Sequence, residues 1–89
     1  MSEEARIRAA LRSWVLSSSE RIPATALGDD TPIFSKAVLE SVHVMDLILL
    51  IEELSGRPVD VEKLQVGVFR TIDAIVANFF RGEGSYFAD

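Results

Sequence analysis

Apolar residues at Ile7, Ala10, Leu11, Trp14 and Val15 recur at i, i+3, i+4, i+7 and i+8, the spacing of a buried stripe on an α-helix. Arg6, Arg8 and Arg12 fall off that stripe. Ser2 is placed to cap the helix, and Glu3 and Glu4 suit the positive end of its dipole. Ser17-Ser18-Ser19 weakens it and Pro23 ends any continuation. The same spacing returns at Ile72, Ile75, Val76, Phe79 and Phe80, with Thr71 as cap and Gly82-Glu83-Gly84 as stop. Between these two lies a helix from Ser41 to Ser55, with Gly56 past its C-terminus, and a piece over Asp60 to Gln65 long enough for one or two turns. No stretch alternates with the strand period, and nothing repeats. The pattern predicts an all-α fold: a small four-helix bundle of three main helices and one short one.

The connection from about Glu20 to Glu40 carries Pro23, Gly28, Asp29-Asp30 and Thr31-Pro32, all turn or breaker signals. Ile22, Leu27, Ile33, Phe34, Val38 and Leu39 are scattered through it without helical period. A loop this long in a small domain is expected to be pinned by its own side chains or to carry function. The expected core draws on Trp14, Phe34, Ile48, Ile51, Ile75 and Phe79.

The helix that follows has two apolar faces. At 100° per residue, Val44, Leu47, Ile48, Ile51 and Leu54 share one sector, which must face the core. Val42, Met45 and Leu49 fall nearly opposite, flanked by Asp46, Glu52 and Glu53. Unpaired carboxylates are costly to bury, so this second strip is expected at the surface as an acid-rimmed apolar patch for a transient partner. The competing expectation is that the long loop folds back over it.

Composition narrows the function classes. At 89 residues there is room for one domain, expected over 1–89 with its core at about 3–81 and a flexible tail over 82–89. Met1 and the polar tail suit a discrete protein. Cysteine is absent, which excludes disulfides and thiolate metal sites. The longest aliphatic run, Leu47 to Ile51, is far short of a membrane span, and Ser2-Glu3-Glu4 puts acid where a signal peptide needs base, so the expectation is cytoplasmic. Net charge is −5, which argues against nucleic acid. The imbalance sits in one place. Residues 29–56 hold Asp29, Asp30, Glu40, Asp46, Glu52 and Glu53 against Lys36 alone, while the two flanking segments come to +1 and −1. Charge concentrated on the middle helix suits docking of basic partners.

Ser41 opens that helix at the end of the acid-rimmed strip. By itself a serine at a helix start is a cap. A phosphodiester placed there would meet free backbone N–H groups and the favourable end of the dipole. A hydrolase triad of Ser41, His43 and Asp46 does not assemble, because on a helix His43 projects about 200° from Ser41. Asp29-Asp30 reads as a turn rather than a cation site.

With these residues in order, the chain resembles the acyl carrier protein family of phosphopantetheine-binding carrier domains over roughly residues 5–81. The resemblance rests on the first amphipathic helix, Asp29-Asp30-Thr31-Pro32-Ile33-Phe34, Leu39-Glu40-Ser41-Val42, Met45 through Leu54, the short third helix, and Phe69 through Ile75. It implies 4′-phosphopantetheine on Ser41, with Glu40, Val42, Met45, Asp46, Leu49, Glu52 and Glu53 as the partner-binding face. It also implies a carrier that makes no bonds itself. Its expected partners are a phosphopantetheinyl transferase and the acyl-loading ligase or synthase enzymes of a fatty acid, polyketide or related pathway, met as a monomer. The sequence departs from the family at Glu40 in place of Asp, at Val42 in place of Leu, and at Ala37-Val38 where a Gly is usual; these bear on which transferase accepts it. The rival expectation is a non-carrier helical interaction module that uses Val42, Met45 and Leu49 with Ser41 as a plain cap.

Overall fold

A computed structural model describes residues 2–19, 22–34, 43–65, 67–81 and 86–88. The protein is all-α. Helix α1 spans Glu3–Ser18, α2 spans Val44–Ser55, and α3 begins at Ile72–Ile75 and continues as a π-helical turn over Val76–Phe80. Single 3-10 turns stand at Ala24–Ala26 and Val61–Lys63, the second where a short helix is expected. No strand occurs among the described residues; Val59 and Phe87 form an isolated antiparallel bridge.

The ends of α1 and α3 follow from their caps. Ser2 Oγ accepts from the Ala5 N–H at 3.1 Å, and Thr71 Oγ1 accepts from the Ala74 N–H at 2.9 Å, each satisfying a donor that lacks an intrahelical partner. Helix α2 closes at Gly56, whose φ of 71° lets its N–H reach the Glu52 carbonyl at 2.8 Å. The π-turn in α3 carries a side-chain bond to its own backbone. Asn78 Nδ2 donates to the Ala74 carbonyl at 2.8 Å, the acceptor its own backbone N–H would take in a regular α-helix.

The core forms where the predicted stripes meet. Ile7, Leu11 and Val15 of α1, Leu47, Ile48 and Ile51 of α2, and Ile72, Ile75, Val76 and Phe79 of α3 are buried together. Trp14, Phe34, Val44 and Leu54 pack on this cluster only in part, at its margin. Leu27 and Ile33 from the long loop are fully inside, so the described part of the loop contributes to the core it crosses.

That loop is pinned from both neighbouring helices. The Arg12 guanidinium donates to the Leu27 and Ala24 carbonyls. The Ile33 N–H donates to the Arg70 carbonyl, and the Asp73 N–H to the Asp29 carbonyl, both at 2.9 Å. Arg8 Nη1 lies 2.6 Å from both Asp29 Oδ2 and Asp73 Oδ1, while its Nε meets Glu4 at 3.3 Å. Glu4 in turn holds Arg81 at 2.6 Å. One ion network thus ties α1, the loop and both ends of α3.

The expectation of a flexible tail over 82–89 needs correction for its described part. Phe87 is 2% exposed and packs edge-on against Phe79, with ring centroids 5.7 Å apart. The Asp60 N–H donates to the Tyr86 carbonyl at 2.9 Å, and the Ala88 N–H to the Pro58 carbonyl at 2.8 Å. Arg57 covers the outer side of the Phe87 ring, with its guanidinium carbon 4.5 Å from the centroid. The glycines at 82 and 84 look like an ending, but the chain beyond them supplies a large aromatic to the core.

Candidate functional site

The residues singled out in the sequence divide into two groups. Glu40, Ser41 and Val42 lie outside the described residues, as does the expected helix start at Ser41. His43, Met45, Asp46, Leu49, Glu52 and Glu53 are described, and α2 begins at Val44 with His43 as its N-terminal flanking residue.

The two-faced reading of α2 is realised in what can be followed. Leu47, Ile48 and Ile51 are buried, which fixes the helix rotation and turns the opposite side outward. Met45 keeps 60% and Leu49 58% of their surface exposed. The described part of the loop does not fold back over them. Asp46 and Glu53 are exposed on the same side of the helix. The result is an exposed apolar pair edged by two exposed carboxylates.

Glu52 behaves differently from its assigned place in this face. It is half-buried, and its Oε2 accepts the Val59 N–H at 2.8 Å. This bond ties the segment after Gly56 back onto α2, next to the bridge between Val59 and Phe87. Spacing places Glu52 correctly at the edge of the strip. It cannot show that a backbone N–H seven residues later would claim the carboxylate.

A second feature has no counterpart in the sequence reading. Pro32, Phe34, Gln65, Gly67, Phe69 and Arg70 line an open cleft of about 680 Å³. Its back is firm, because the Phe69 ring stacks on Phe79 with centroids 5.5 Å apart and planes 3° from parallel. Its lower turn depends on Gly67, whose φ of 94° belongs to a region that side-chain-bearing residues rarely adopt. The Val68 N–H then returns to the Gln65 carbonyl, and the Arg70 N–H to the Gly67 carbonyl. An apolar residue at the end of a loop and a glycine before Phe69 were the available signals; neither reveals a cleft without the packing.

No described helix is long and apolar enough to cross a membrane. No family model matches the chain, and neither a curated protein nor a solved structure matches it.

Proposed function

We propose that this chain is an acyl carrier protein. It bears 4′-phosphopantetheine on Ser41 and shuttles acyl-type intermediates, held as thioesters on that arm, between the enzymes of a biosynthetic pathway. The observation that carries the reading is the pair Met45 and Leu49. Four and eight positions after Ser41, they keep 60% and 58% of their surface in solvent on a helix that buries Leu47, Ile48 and Ile51 on its other face. A well-folded helix that leaves such a pair uncovered, with Asp46 and Glu53 beside it, suits short encounters with several enzymes better than one permanent complex.

The bound arm would supply a terminal thiol for the cargo. The chain's own task is to offer the Ser41 hydroxyl to a transferase and α2 to the enzymes that follow. In the loading reaction the Ser41 oxygen attacks the pantetheine-bearing phosphorus of coenzyme A. The new O–P bond replaces the pyrophosphate bond, adenosine 3′,5′-bisphosphate leaves, and the hydroxyl proton passes to the transferase or to water. The chain performs no catalysis in this scheme and acts in the cytoplasm as a monomer.

Incubation with coenzyme A and a broad-specificity phosphopantetheinyl transferase tests the proposal. The intact protein gains one arm of about 340 Da, read as a covalent modification, and Ser41→Ala gains nothing. A protein that folds and stays unmodified would instead fit the helical interaction module.

A further inference from the structure

We propose that residues 58–63, paired with residues 86–88, form a flap that opens as one unit while the three helices stay folded, and that its closure holds Phe69 in the wall of the 680 Å³ cleft. Such a flap works alike whether or not Ser41 carries an arm. The two segments are hydrogen-bonded mainly to each other. The Asp60 N–H donates to the Tyr86 carbonyl and the Ala88 N–H to the Pro58 carbonyl, on either side of the bridge between Val59 and Phe87. Lys63 Nζ donates to the Phe87 carbonyl at 3.4 Å. Within 58–63 the bonds are those of a turn, from the Lys63 N–H to the Asp60 carbonyl and from the Glu62 N–H to Asp60 Oδ1. Helix α2 ends at Gly56, whose φ of 71° turns the chain away and sets the hinge. Beyond the hinge, the ties to the helices are the Glu52 carboxylate on the Val59 N–H at 2.8 Å, the Arg57 guanidinium over the Phe87 ring, and the contacts of Tyr86 and Phe87 with Phe79. A unit joined to its scaffold by so few bonds opens at a smaller cost in free energy than the helices that carry the common core.

The Phe87 ring connects the flap to the cleft. It packs edge-on against Phe79 with centroids 5.7 Å apart, Tyr86 tilts against the same ring at 5.5 Å, and Phe79 in turn stacks on Phe69 at 5.5 Å. Phe69 lines the larger cleft, while Phe79 and Phe87 line a second of about 300 Å³ together with Leu54 and Phe80. The row Phe69–Phe79–Phe87 therefore runs from one cleft to the other, a contiguous path for a displacement. With the flap shut, Phe79 is fixed by three described ring partners. Opening removes two of them, Tyr86 and Phe87, and an apolar ring with one side emptied shifts to regain contacts. Phe69 then loses the fixed surface on which it stacks.

Amide hydrogen exchange of the full chain under native conditions tests the flap. The Val59, Asp60 and Ala88 amides are expected to share one protection factor, about tenfold or more below that of Leu11, Val15 and Ile51, and to depend less on denaturant. Glu52→Ala removes the acceptor of the Val59 N–H alone. It is nevertheless expected to speed exchange at Ala88 by the same factor as at Val59, about tenfold, because both belong to one unit. Glu52→Gln keeps an acceptor oxygen and is expected to restore the protection. Phe87→Ala, or Phe87→Leu where the alanine variant does not fold, removes the ring that holds the flap shut. There the Phe69 ring protons are expected to move toward unstacked positions, with helical circular dichroism preserved. Flap amides as well protected as those of the helices would overturn the inference, as would faster exchange at Val59 with Ala88 unchanged. Unmoved Phe69 resonances in a variant whose flap amides have lost protection would overturn the hold on the cleft.

Discussion

At the scale of single residues, Arg8 does more than its sequence position suggests. It sits one step off the buried stripe of α1, where it reads as a solvated charge, yet it joins Glu4, Asp29 and Asp73 at once. Its pKa is raised, first by the hydrogen bond to Asp73. Replacement by Ala unties α1, the loop and α3 together, and is expected to lower stability by about 1–2 kcal/mol, measured by chemical denaturation. Glu4 gives this network a pH dependence. The hydrogen bond from Arg81 outweighs the opposing effect of burial and, with Arg8, holds the Glu4 carboxyl below its ordinary value. A carboxyl with a depressed folded pKa contributes stability above its unfolded pKa and loses it as pH falls through the folded value. The melting-temperature gap between the parent and Glu4→Gln is therefore expected to be full near neutral pH and to close below about pH 4. A gap that widens in acid would show that Glu4 is not held by these arginines.

At the scale of elements, α2 concentrates what the sequence made legible. Counting 100° per residue separates Leu47, Ile48 and Ile51 from Met45 and Leu49, and the packing respects that division. Ile51 is fully buried, so Ile51→Ala should cost about 2–5 kcal/mol, whereas Met45→Ser with Leu49→Ser should leave the unfolding free energy within about 0.5 kcal/mol per site. The double charge reversal Asp46→Lys with Glu53→Lys should slow transferase association, most at low ionic strength, with helical circular dichroism preserved. Equal association rates at low salt would show that these acids do not steer. Periodicity also found α3 and its Thr71 cap, but not its π-turn, because the spacing of apolar residues does not distinguish i+4 from i+5 hydrogen bonding within one turn. Glu52 marks the same limit: its face was readable, while its bond to the Val59 N–H required the chain to double back after Gly56.

At the scale of the whole molecule, the fold class and the three main helices were legible because the three stripes bury themselves in one common core. The long-range ties were not. Nothing in the spacing around Asp29 announces Arg8, and the glycines before Tyr86 conceal the return of Phe87 to the core. A protein this small depends on each large buried side chain, so Phe87→Ala should cost about 3–5 kcal/mol, and Trp14 fluorescence offers a probe of the unfolding transition. If Phe87→Ala unfolds at the same denaturant concentration as the parent, the C-terminal segment is not part of the core. The functional account depends on this packing, because a carrier must stay folded while it offers one face to successive enzymes. Its central claim is the covalent use of Ser41, and fragment-ion mapping after transferase treatment tests it most directly. The account predicts the phosphopantetheine mass on fragments that contain Ser41, with the other eight serines unmodified. An arm found on a different serine, or a folded protein that remains unmodified, would contradict it.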